Sequence, residues 1–315
     1  MGRVRITAQL IEAETGAHLW ADRFDGSLED VFELQAQVAV SVAGVIEPAL
    51  QAAETARAAN RPTSDLTAYD LYLRAYAMYS TSHQRQMRKA LELLEEAIAR
   101  DPQFGPALAF AACCCMHLVS GDAPDREVSR RKGIEVAHRA LEVASNDPGV
   151  LADAAYALAC LGEDIDTMTM LVDRALAFNP SYARGWHISG FLRLWAGQTD
   201  LAIEHAGRVL RLSPRAQAEW TSFLIGAALF FSRSFEEAVP RLRVAIEASP
   251  VFPTSYRLLA ACYAHMGLLD EARATIARLR AITPEVIPNY ALPFRDPRHR
   301  ELYFSGLRLA MGETE

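Results

Sequence analysis

The chain has 315 residues, a net charge of −7, and 51% apolar against 23% charged side chains. That length accommodates two domains or one extended repeat array, and the composition is ordinary for a folded chain. The acidic balance argues against nucleic-acid binding as the main task, because neutralising phosphates needs clustered positive charge.

The only two lysines are Lys89 and Lys132. Neither follows a glycine-rich loop, which excludes a phosphate-binding P-loop. Five cysteines, Cys113, Cys114, Cys115, Cys160 and Cys262, form no CxxC pair and sit in apolar helical runs. Free thiols there behave as small hydrophobes, and the natural setting is a reducing cytoplasm. The N-terminus has no apolar core of signal-peptide length. The longest apolar run, Ala107 to Cys115 with Met116 beyond, is too short to span a bilayer, so no membrane contact is expected.

Residues 3–11 alternate, with Val4, Ile6, Ala8 and Leu10 on one face and Arg3, Arg5, Thr7 and Gln9 on the other. This predicts a half-buried strand, with residues 18–24 as the returning strand of a hairpin. Ser27 with Asp30 resembles a capping box and opens a long helix through about Asn60, interrupted at Pro48. A two-stranded hairpin and one helix make only a small core. The expectation is therefore that residues 1–60 are part of a larger α/β domain that begins upstream. The open hairpin edge also offers a route to a homodimer.

The run VRITAQLIEAETGAHLWADRFDGSLEDVFELQAQVA, within residues 3–60, resembles the second half of the TolB-amino-terminal-like (FlgO-like) α/β domain. The resemblance continues through the repeats to the tail FRDPRHRELYFSGLRLA. It implies a bacterial signalling protein in which a class III adenylate cyclase domain or a winged-helix domain lies upstream. Neither effector is present in these residues.

Residues 61–284 read as about six helical hairpins. Units ending at Pro102, Ser145, Pro180, Pro214, Pro250 and Pro284 are separated by 43, 35, 34, 36 and 34 residues. The clearest unit, Ala183–Pro214, has Trp186 and Gly190 on one face of its first helix. Gly197 supplies the turn, Thr199 the expected N-cap of the second helix, and Ala202 the small residue at the crossing. These residues resemble the tetratricopeptide repeat, whose period is 34 residues. The fifth unit matches at Gly226, Ala238, Ala245 and Pro250, and the sixth at Tyr256, Tyr263, Ala272 and Pro284. The first unit has extra residues around 80–86, the second an insertion around 121–126, and the third places Met168 where a small residue is expected. The resemblance implies a mainly α fold, a right-handed superhelix of stacked hairpins. Residues 285–315 give a proline-rich linker and a last helix from Asp296-Pro297, read as a cap for the open end.

The same resemblance implies that the second, fifth, ninth and twelfth positions of each first helix face a concave groove. They include Asp153, Arg184, His187, Phe191, Trp220, Phe223, Phe230 and Arg257. The groove is expected to be apolar and aromatic, flanked by Arg184, His187 and Arg257, and to accept an apolar helix or a peptide with a carboxylate nearby. The competing expectation is that these rings pack against neighbouring helices or against an end of the same chain. The eight histidines show no metal-ligand spacing, and no nucleophile elbow or dinucleotide fingerprint occurs. A non-catalytic interaction module without cofactor or metal is therefore expected. Its partner is a protein or peptide, and it is read as part of a bacterial signalling protein. The alternatives are the regulatory region of an adenylate cyclase-like enzyme whose catalytic domain is absent from these residues, and the effector region of a winged-helix transcriptional regulator.

Overall fold

The computed structural model describes residues 3–11, 18–27, 34–35, 38–39, 41–42, 67–79, 84–119, 126–213, 218–288 and 293–313. Strands β1 (Arg3–Ile11) and β2 (His18–Ser27) form an antiparallel hairpin in which Ile6 faces Phe24 and Leu10 faces Trp20. The second strand runs three residues beyond the sequence expectation, because Gly26 and Ser27 still find partners in Val4 and Arg3. Exposure alternates along β1 as its sequence does, and Trp20 is buried. Gly26 lies against the side chain of Leu34, in the segment expected to be the long helix. Only residues 34–35, 38–39 and 41–42 of that segment are described, and all are helical. Ser27 of the expected capping box is the last residue of β2, whereas Asp30, Pro48 and the boundary at residues 61–66 lie outside the described residues.

Thirteen helices follow among the described residues. Six hairpins pair α1 (Ala68–Tyr79) with α2 (Gln84–Arg100), α3 (Gly105–Val119) with α4 (Arg126–Val143), and α5 (Pro148–Cys160) with α6 (Ile165–Phe178). Next come α7 (Ala183–Trp195) with α8 (Thr199–Leu212), α9 (Ala218–Phe231) with α10 (Phe235–Ala248), and α11 (Pro253–His265) with α12 (Leu269–Arg280). Helix α13 (Pro297–Met311) ends the chain.

Each first helix touches its own second helix and the first helices of adjacent units, so α1, α3, α5, α7, α9 and α11 form a continuous inner layer. This explains their composition. A helix covered on several sides has no polar face to present, and twelve of the fifteen residues of α3 are buried. The second helices keep one wet face. Small residues make the crossings close: Ala90, Ala97, Ala137, Ala140, Ala202, Ala206, Ala238 and Ala272 have no exposed surface. In the second unit Gly133 fills this role against Cys115 and Leu161. In the third, Met168 is buried at the crossing.

The turns inside the last four hairpins repeat one geometry. A residue with positive φ follows the first helix at Gly162, Gly197, Arg233 and Gly267. The next N–H closes a Schellman bond, Glu163 to Leu158, Gln198 to Arg193, Ser234 to Leu229 and Leu268 to Tyr263. Arg233 holds a conformation that favours glycine. The expected N-cap Thr199 is instead the first helical residue of α8, preceded by Gln198, and no side-chain cap bond forms there.

Helix α13 does not continue the stacking direction. His265 Nε2 lies 2.8 Å from the Leu302 carbonyl oxygen, and Gly306 sits against Ala261, so α13 runs antiparallel to α11. Asp296 caps it by accepting the Arg298 N–H at 2.8 Å, with Pro297 in the first turn. The buried residues fall in two clusters, one from α1 to Leu192 and one from Phe191 to α13. They meet at α7, where Tyr156 and Trp195 touch both.

Candidate functional site

The inner layer contains an open cleft of about 270 Å³ built by four successive first helices. Helix α1 contributes Tyr72 and Tyr76, α3 contributes Pro106 and Ala109, and α5 contributes Asp147 through Val150 and Asp153. Arg184 of α7 closes it, with Asn179 and Tyr182 from the preceding turn. Ala109 and Asp153 are the fifth positions of their units and Arg184 the second position of the next, and stacking brings all three to one wall.

Charge in the cleft is nearly balanced by an internal ion pair. The Arg184 Nε–H donates to Asp153 Oδ1 at 2.8 Å, and its terminal nitrogen lies 2.8 Å from the same oxygen. Both side chains are largely buried, at 21% and 13% exposure, so removing one partner would leave the other as an uncompensated buried charge. Asp147 caps α5, its Oδ1 accepting the Val150 N–H at 2.9 Å. Among the lining residues the carboxylates of Asp147 and Asp153 thus face one guanidinium, already engaged. Arg184, expected beside a carboxylate of the bound segment, thus has a carboxylate from a neighbouring unit of its own chain.

The other residues expected in the groove have separate fates. His187 is partly buried, its ring edge-on to Phe191 at 5.0 Å. Burial, reinforced by Arg184, pushes its pKa down to about 3. Its Nε2 has no exposed surface and, among the described residues, no hydrogen-bond partner. Phe191 and Phe223, each 7% exposed, stack at 6.0 Å, and Phe252 carries the chain of rings on to Trp220. Tyr156 lies 5.6 Å from Trp195 and 6.1 Å from Phe191. Aromatic positions that face the groove in sequence therefore mostly cement one inner helix to the next.

Phe230 and Arg257 do not line an open groove. Phe230 is fully buried, with rings from Phe231, Phe235, His265 and Tyr303 around it. Arg257, 4% exposed, donates from Nε to the Val286 carbonyl at 2.9 Å and from a terminal nitrogen to the Glu285 carbonyl at 2.8 Å. Downstream, the Arg295 N–H reaches back to the Trp195 carbonyl at 2.9 Å, its guanidinium pairs with Asp166, and Phe294 and His299 pack on Phe231. The chain's own C-terminal part covers these positions of the fifth and sixth units. Tyr72, Tyr76, Asp147 and Tyr182 are among the cleft residues the sequence reading missed. The first unit departs from the repeat pattern, and Tyr182 lies in the turn before α7.

Burial pushes the Cys113, Cys114 and Cys160 thiols upward, Cys115 to about 11 and Cys262 to about 12, so all five are protonated at neutral pH. All five cysteines are free. Burial likewise holds His117 neutral, with a pKa near 4.

With this geometry in hand, the fold is a tetratricopeptide-like α-solenoid. Residues 232–292 match the tetratricopeptide repeat family model. An adenylate cyclase-named protein of Rhizobium meliloti (strain 1021) is 30% identical over 152 residues, 46% of this chain and 25% of that protein. The match thus spans about a quarter of that relative's length. Among solved structures, the APC/C hetero-tetramer Cut9–Hcn1 is similar at a TM-score of 0.57 and 16% identity, over 88% of this chain and 49% of that one. The human IFIT1 dimer with m7Gppp-AAAA gives 0.58 and 15%, over 70% and 52%. The type IV pilus biogenesis factor PilW gives 0.52 and 17%, over 74% and 98%. At these identities the likeness concerns the fold alone. No described helix is long and apolar enough to cross a membrane.

Proposed function

We propose that this chain is a non-catalytic interaction module that takes an extended peptide segment of a partner protein in the cleft formed by α1, α3, α5 and α7. The observation that carries the reading is the contrast along the inner face. The chain's own C-terminal part covers Phe230 and Arg257, whereas the cleft around Tyr72, Tyr76, Asp153 and Arg184 stays open. A cleft lined by three tyrosines, an internal ion pair and the polar side chains of Asp147 and Asn179 suits side chains of a bound segment. The test is selection of random twelve-residue peptides on the full chain, followed by hydrogen exchange of the complexes. Protection is expected in α1, α5 and α7. Protection confined to α2, α4 and α6, or no selected peptide at all, would overturn the reading.

The Rhizobium relative favours a second, compatible reading, in which the module regulates an adenylate cyclase-type protein of which it forms part. The catalytic chemistry then resides in residues other than these. The purified chain should convert no ATP to cyclic AMP, and measured turnover would refute the assignment.

A further inference from the structure

We infer that the cleft selects a cationic side chain, arginine or lysine, of the bound segment. This rests on the cleft being the peptide site, and it names what that site recognises. The argument begins with charge. Of the lining residues, Asp147 and Asp153 are acidic and Arg184 is basic, and Arg184 is held to Asp153 through two of its nitrogens at 2.8 Å. The pair cancels, which leaves the carboxylate of Asp147, exposed and holding the Val150 N–H as the cap of α5, as the net side-chain charge at the rim. An incoming carboxylate would have to compete with Asp153 for the guanidinium while facing Asp147. An incoming cation meets the opposite balance.

The walls supply the second part of the argument. Tyr72 and Tyr76 stand on adjacent turns of α1 with ring centroids 6.3 Å apart, and Tyr182 lines the cleft from the turn before α7. Aromatic faces beside a carboxylate attract guanidinium and ammonium groups through the ring quadrupole, and the surrounding walls strengthen that attraction by excluding water. The cleft's volume of about 270 Å³ admits a long side chain with its aliphatic stem along Pro106 and Ala109. Three tyrosines, a rim carboxylate and an already neutralised arginine together describe a seat for a cation rather than for an anion.

The test uses the full chain with its tyrosine rings isotope-labelled, titrated with argininamide and, in parallel, with citrulline amide, its uncharged near-isostere. Argininamide should shift the resonances of Tyr72, Tyr76 and Tyr182 saturably, and citrulline amide should bind markedly more weakly. Asp147→Asn removes the rim charge while keeping an equally good helix cap. It should weaken argininamide by about two- to fivefold, the range set by one partly exposed ion pair, and reduce the salt dependence of binding. Equal binding of the two amides, an unchanged affinity in Asp147→Asn, or no shift with argininamide would each overturn the inference. The hydrogen-exchange footprint of selected peptides is read independently. Peptides that protect α1, α5 and α7 but carry no basic residue would leave the peptide site standing and remove its cation preference.

Discussion

Gly190 offers the sharpest test of how the units pack. A Cβ added at Gly190 would lie 2.5 Å from Leu224 Cδ2, 3.5 Å from the Ala202 carbonyl oxygen and 3.7 Å from His205 Cβ. Leu224 is fully buried, so restoring ordinary contact requires it to retreat by about 0.9 Å into a filled core. Overpacking of this kind costs about 1–3 kcal/mol. Replacing glycine by alanine inside a helix also returns about 1 kcal/mol of propensity, which blurs a single measurement. Gly207, within α8, removes the ambiguity, because a Cβ there would meet only the Arg211 guanidinium at 3.8 Å. Gly207→Ala should stabilise by about 0.5–1 kcal/mol, while Gly190→Ala should not. The propensity gain cancels in the difference between the two variants, which should equal the overpacking cost of about 1–3 kcal/mol. Urea unfolding followed by circular dichroism measures each. Hydrogen exchange across α7–α9 shows whether the loss is local, since stacked repeats need not unfold as one unit. A difference below about 0.5 kcal/mol would refute the knob-and-notch account of this crossing.

Two further predictions concern buried charge. Arg257→Met removes two charge-assisted hydrogen bonds to the carbonyls of Glu285 and Val286 and should cost about 2–4 kcal/mol, with accelerated amide exchange in residues 282–288; unchanged exchange there would show that Arg257 does not anchor the segment. His117 and His187 titrate near 4 and 3 in the folded chain, against about 6.5 unfolded. Between about pH 6.5 and 4 the unfolded chain therefore binds protons that the folded chain refuses, and stability falls as pH falls, by at most about 1.4 kcal/mol per unit for each histidine. His205 and His299, also lowered by burial, act in the same direction. The lowered carboxyls of Asp164 and Asp296 matter only below about pH 4, so the two windows separate. His187→Gln should make the slope between pH 6.5 and 4 shallower in urea titrations, and an identical slope would contradict the assignment.

The repeat was legible where local chemistry decides it. The tight approach at Gly190, the positive φ at Gly197 and the fully buried Ala202 answer to residue types and spacing, and the structure uses all three. Arg233 shows the limit of that reading, because it takes the turn conformation without the glycine that announces it elsewhere. Thr199 shows another, since a good capping residue sits one place too late to cap.

The candidate site divides along the same line. The spacing of Asp153, Arg184, His187, Phe191, Trp220, Phe223, Phe230 and Arg257 fixes their place on first helices, because a 34-residue period returns equivalent positions to equivalent faces. What lies over each face is a long-range matter. Arg257 meets carbonyls 28 and 29 residues away, Trp195 meets a backbone N–H from Arg295, and Phe230 meets Tyr303. Tyr72 and Arg184 share a cleft across more than a hundred residues of chain. The amino-acid sequence, through its periodicity and its small residues, determined that helices pair and stack. Only the tertiary structure, by laying the tail over Phe230 and Arg257 and pairing Arg184 with Asp153, decided what each of these first-helix positions meets.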